Sequence, residues 1–70
     1  MNPERFSVPT WLLLRIAERD RWLCHICEQG YIPGDTWEID HDVPLAKGGT
    51  NLVRNLCLAH RRCNRDKAAA

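Results

Sequence analysis

The chain has 70 residues, 44% hydrophobic and 27% charged, with a net charge of +1. A length of this order buries only about 60% of the surface its unfolded form exposes, so more than one domain is excluded and an added staple is expected. The composition excludes wholesale disorder, and the one apolar cluster, Trp11-Leu12-Leu13-Leu14, is too short to span a bilayer.

In chain order, residues 1–9 hold Pro3 and Pro9 and are expected to form an irregular arm. The opening Met1-Asn2-Pro3-Glu4-Arg5 lacks the apolar run of a secretory signal, so a cytoplasmic, non-secreted chain is expected. A helix is predicted over 10–21, with Ser7 or Thr10 as N-cap and Leu13, Ile16 and Ala17 on one face. Arg15 and Arg19, four apart, share another face and are candidates for phosphate contact or for plain solvation. Trp11 and Trp22 are expected to pack across this helix, because a small core needs large side chains. Cys24-His25-Ile26-Cys27 is read as a tight knuckle, within which His25 is a solvent-facing bystander. Trp37-Glu38-Ile39-Asp40 alternates and is read as a strand ending at His41. A loop follows from Pro44 to Gly49, with positive-φ freedom at Gly48-Gly49. Thr50 or Asn51 begins a short turn, Leu56-Cys57-Leu58 is the return strand, and a last helix runs from about His60 to the end.

The four cysteines admit two disulfides or one metal site. In a reducing compartment paired cysteines hold metal more often than each other. Cys24-x-x-Cys27 and His60-x-x-Cys63 have the two-residue spacing that lets a knuckle or first helical turn aim both side chains at one tetrahedral ion. Such a quartet leaves no open position and describes a structural zinc. Zinc-driven folding is worth about 10–16 kcal/mol in small finger peptides, which would offset a weak core. Cys57 extends the series to Cys57-x-x-His60-x-x-Cys63 and is the alternative fourth ligand. His60 is favoured, since it falls where the strand meets the helix and the two-residue spacing is the common one.

Charge is segregated along the chain. From Glu28 to Asp42 the charges are all acidic (Glu28, Asp35, Glu38, Asp40, Asp42), and from Val43 onward they are nearly all basic. That pattern suits acidic groups holding a cation beside a basic face holding a polyanion, or simply two solvated faces. Arg61, Arg62, Arg65 and Lys67 fall on the last helix and are candidates for nucleic-acid backbone phosphates.

From Cys24 to Lys67 the chain resembles the HNH endonucleases. The carriers are Cys24-His25-Ile26-Cys27, then the run Ile39-Asp40-His41-Asp42-Val43-Pro44-Leu45-Ala46-Lys47-Gly48-Gly49-Thr50-Asn51. They continue in Asn55-Leu56 and in His60-Arg61-Arg62-Cys63-Asn64-Arg65-Asp66-Lys67. The resemblance implies a small α+β fold, a ββα-metal core over 37–67 on a treble-clef zinc finger, within a domain spanning 10–70. It implies His41 as general base, a task for which imidazole is suited near neutral pH. It implies Asp40 and Asn64 as ligands of one catalytic ion, Mg²⁺ or Mn²⁺ by the hardness of oxygen donors. Asn55 is implied to brace the loop between the strands and to orient His41. Asp40 and His41, adjacent on a strand, would diverge unless the chain bends there. The expected partner is DNA, cut to leave a 5′-phosphate and a 3′-hydroxyl. The alternative reading is a treble-clef module that binds nucleic acid without catalysis, for example in phage DNA packaging. A bacterial or phage-infected host cell is expected, and a homodimer or a phage packaging protein is a candidate partner. Asp42 departs from the pattern, standing where many members have an apolar residue.

Overall fold

The computed structural model describes residues 7–69, in the order helix α1 (Thr10–Arg19), strand β1 (Trp37–His41), strand β2 (Leu56–His60) and helix α2 (Arg61–Ala69). Most of the expected N-terminal arm, residues 1–6 with Pro3, lies outside the described residues. Val8, just before α1, packs against the core. No described helix is long and apolar enough to cross a membrane.

The two strands pair antiparallel, with Asp40 opposite Cys57, His41 opposite Leu56 and Trp37 opposite His60. Because side chains alternate, Ile39, Leu56 and Leu58 share one face. They bury against Ile16 and Ala17 of α1, with Leu12, Leu13 and Trp37 at the margin. The predicted apolar stripe of α1 therefore does face the sheet. Glu38, Asp40, Cys57 and Ala59 share the other face, and Asn64 and Lys67 of α2 bond to Glu38 and Asp40 there.

Three expectations need correction. The helix ends at Arg19, two residues before the predicted stop, because Arg21 and Trp22 take left-handed φ values of 60° and 56°. Pro9 occupies the N-cap position and no side chain caps the helix, so neither Ser7 nor Thr10 has that role. Trp11 is exposed rather than packed, while Trp22 meets Trp37 edge-on at 6.2 Å.

Arg19 and Asp20 fasten the helix end to β2. Arg19 donates to the backbone carbonyls of Val53 and Leu56 and pairs with Asp20, whose Oδ2 accepts the Leu58 N–H at 2.8 Å. Arg19 is thus a bolt between α1 and β2, whereas Arg15 stays exposed. Burial opposes the Asp20 charge, but Arg19 and the Leu58 N–H outweigh it and hold the carboxyl below its ordinary value.

The connection between strands contains two 3-10 turns, Leu45–Lys47 and Val53–Asn55. Gly48 ends the first with φ 89°. At Gly49 an added Cβ would lie 1.8 Å from the Val43 carbonyl oxygen, so only glycine lets the loop close there.

Candidate functional site

Cys24, Cys27, His60 and Cys63 come together from the knuckle, the end of β2 and the first turn of α2. Their ligating atoms all lie within 4.8 Å of one another. His60 Nδ1 sits 3.3 Å from Cys27 Sγ and 3.8 Å from Cys63 Sγ. Tetrahedral zinc, with bonds of about 2.3 Å to sulfur and 2.0–2.1 Å to nitrogen, places such ligands about 3.5–3.6 Å apart. The quartet therefore fits a metal ion such as zinc.

The surroundings prepare these groups for that task. His60 Nε2 donates to the Gly30 carbonyl at 2.7 Å, which leaves the lone pair on Nδ1, facing the sulfurs. Trp37 stacks on the imidazole at 4.5 Å. Burial would push the Cys24 thiol up, but the backbone N–H groups of Cys27, His60 and Ile26 outweigh burial and bring it down to about 7. Cys63 goes the other way, raised to about 12 by burial and by the neighbouring Cys27 and Cys24 sulfurs. Three sulfurs this close cannot all ionise without a cation between them. All four cysteines are free thiols, and Cys57 stands apart from the quartet on the other sheet face.

The second site lies along β1. A cavity of about 440 Å³ is lined by Trp37, Glu38, Asp40, His41, Arg61 and Asn64, among others. Consecutive residues of β1 line it, so it runs along the strand's unpaired edge, open to side chains of both faces. No bend separates Asp40 from His41: the strand continues through His41 and the two diverge as ordinary neighbours.

Each sequence-predicted residue of this site has a defined partner. Asp40 Oδ2 lies 2.8 Å from His25 Nε2 and 2.7 Å from Lys67 Nζ. Asn64 Nδ2 donates to Glu38 Oε1 at 3.1 Å, a bond that does not use its amide oxygen. His41 Nε2 lies 2.7 Å from Asn51 Oδ1. An amide oxygen only accepts, so Nε2 carries the proton and Nδ1 the lone pair. Asn55 spans the loop, accepting from the Val43 N–H at 2.9 Å and donating to the carbonyls of Val43 and Thr50.

Sequence reasoning missed two residues here. Asn51, read only as a turn residue, touches His41 directly, while Asn55 holds the loop that carries Asn51. Two asparagines bracketing one loop were the available signal. His25, read as a bystander, instead bonds to Asp40, and its side chain is only 20% exposed.

The basic residues of α2 divide. Arg61, Arg62 and Arg65 line a shallow groove with Asp35 and Asp66. Arg61 Nε also lies 3.7 Å from Glu38. Lys67 turns inward, donating to Asp40 and to the His41 carbonyl at 2.7 Å.

The HNH endonuclease family model matches residues 24–69, from the first cysteine of the knuckle to the end of α2. No curated protein matches the chain.

Proposed function

The chain belongs to the HNH endonuclease family, and from that premise we propose that it hydrolyses DNA phosphodiester bonds with a single hard divalent ion. HNH domains act on nucleic acid, and one observation supports the reading most: Asp40, His41 and Asn64 line a single cavity beside Glu38 and Arg61.

A carboxylate oxygen from Asp40 and an amide oxygen from Asn64 make a hard donor set, suited to Mg²⁺ or Mn²⁺. An ion held there would polarise the phosphate and stabilise charge on the leaving oxygen. His41 Nδ1 takes the proton of the attacking water, whose oxygen bonds to phosphorus as the P–O3′ bond breaks. The departing 3′-oxygen gains a proton from solvent, leaving a 5′-phosphate on the other strand end. Asn51 fixes the imidazole tautomer, and Asn55 fixes the loop that presents Asn51. Arg61, Arg62 and Arg65 hold backbone phosphates, giving affinity with little sequence information. The Cys24, Cys27, His60, Cys63 quartet carries zinc as a structural staple only, since four protein ligands leave no coordination position for a substrate.

A second reading, a nucleic-acid-binding module without catalysis, draws on the Lys67–Asp40 pair. That ammonium already neutralises the carboxylate a catalytic ion requires. Supercoiled plasmid incubated with the wild type and with His41→Ala in Mg²⁺ or Mn²⁺ separates the two. Cleavage that His41→Ala abolishes, with zinc content unchanged, supports the nuclease. Binding of duplex DNA without nicking in any divalent ion selects the binding module.

A further inference from the structure

A second group of ligating atoms, distinct from the Cys/His quartet, converges beside the sheet face that carries Asp40 and Cys57. His25 of the knuckle, Asp42 just after β1 and Cys57 of β2 each offer one such atom, and these lie within 4.8 Å of one another. His25 Nδ1 is 4.0 Å from Asp42 Oδ1. The three come from three separate segments, tied by backbone bonds: the His25 N–H donates to the Leu58 carbonyl and the Asp42 N–H to the Asn55 carbonyl, each at 2.9 Å.

We propose that His25, Asp42 and Cys57 bind a second transition-metal ion of the zinc class, with an open fourth position. The donors are an imidazole nitrogen, a carboxylate oxygen and a sulfur, a borderline set that suits zinc or cobalt and not Mg²⁺. Bonds of about 2.0–2.3 Å would draw tetrahedral ligands to about 3.3–3.8 Å. The required contraction is small, and Asp42 is free to make it because its side chain is 66% exposed.

The imidazole is already set for this role. Its Nε2 faces the Asp40 carboxylate at 2.8 Å. A carboxylate accepts, so Nε2 carries the proton and the lone pair is on Nδ1, 4.0 Å from Asp42 Oδ1. This is the carboxylate–histidine–metal arrangement that fixes a ligating ring. His60 is held in the same way, by the Gly30 carbonyl in place of a carboxylate. The local field also favours a cation: burial raises the Cys57 thiol, and Asp20, Asp42 and Asp40 raise it further against the opposing Arg19. A metal ion would relieve that repulsion, releasing the thiol proton to solvent as the sulfur bonds. Asp40 would then link the two reactive regions, orienting His25 with one oxygen.

The test uses the full chain loaded with one equivalent of Zn²⁺, which fills the Cys24, Cys27, His60, Cys63 quartet, followed by Co²⁺ under reducing conditions. Cobalt binds such sites more weakly than zinc, so it leaves the quartet alone. The expected result is one further equivalent bound, with a thiolate-to-cobalt charge-transfer band. Cys57→Ala should lose both the band and the binding. Asp42→Ala, an exposed position that spares the fold, should weaken binding at least about tenfold, the floor for losing even an outer partner of a metal site. Zinc retention in both variants reports an intact fold. No cobalt beyond the zinc, cobalt without the thiolate band, or a band that survives Cys57→Ala would each overturn the site.

Discussion

The Cys/His quartet and the cleft along β1 are neighbours that share Trp37, which stacks on His60 and lines the cleft, yet they are built on opposite plans. In the quartet the ligands meet one another: Cys24 and His60 are each 1% exposed, the backbone prepares one sulfur for ionisation, and the Gly30 carbonyl fixes the imidazole. In the cleft the acidic side chains meet protein counter-charges instead, with Lys67 and His25 on Asp40, and Arg61 beside Glu38. A site that only holds the fold can be completed in advance. On the proposed function the cleft has to stay open for a phosphate and its ion, and side chains balance its charges in the meantime.

The largest effect expected from this contrast follows removal of the quartet. Cys24→Ser or a strong chelator should release zinc and unfold the chain, since a structural zinc contributes about 10–16 kcal/mol in small domains. Circular dichroism with zinc analysis checks this. A cleft that stayed folded without zinc would make the two regions independent. The same plan predicts a pH dependence. Cys24 is held below its ordinary 9.0 at about 7, so its thiolate helps bind zinc fully above 9.0 and less as pH falls through 7. Zinc affinity should therefore drop on acidification, as competition titrations would register.

Next comes Asp20, which serves both regions by fastening α1 to β2. Hydrogen bonds to a charged group are worth about 1.5–3 kcal/mol, and Asp20→Ala should lose that much stability in urea unfolding. Its folded carboxyl lies below the ordinary 3.8, so its contribution is present above that value and fades as pH falls through the lowered one. The difference between wild type and Asp20→Ala should accordingly narrow in strong acid.

Smaller effects sharpen the account of the cleft. Asn51→Ala should cut cleavage about tenfold, the kinetic equivalent of one hydrogen bond of about 1.4 kcal/mol, without changing zinc content. Loss comparable to His41→Ala would mean that Asn51 does more than orient the ring. Arg65→Ala should weaken DNA binding similarly for all sequences and lower the salt slope by about one. A sequence-selective loss would contradict a phosphate-holding role.

How far these features can be read from the sequence follows the range of each interaction. Cys24 with Cys27 and His60 with Cys63 are legible because each pair is fixed by local spacing. The strand alternation around Ile39 and the apolar stripe of Leu13, Ile16 and Ala17 are legible for the same reason. What escapes is set by register and by helix phase. His25 reaches Asp40 only because β2 carries the knuckle alongside β1, and Lys67 turns inward only because α2 crosses that face. The helix stop at Arg19 is hidden because Arg21 and Trp22 adopt left-handed backbone that neither residue type signals. Asn51 is hidden behind Asn55, since a motif pattern names the residue that ties the loop and not the one the loop delivers.

On the proposed function two metals do separate work, one closing the fold and one serving the cleft. Zinc-loaded protein free of other divalent ions, titrated with Mg²⁺ against supercoiled plasmid, tests it most directly. No nicking is expected with zinc in the quartet alone, and nicking should rise with Mg²⁺ while zinc stays bound. Nicking that is indifferent to added Mg²⁺ or Mn²⁺, or absent at every concentration of either, would contradict it.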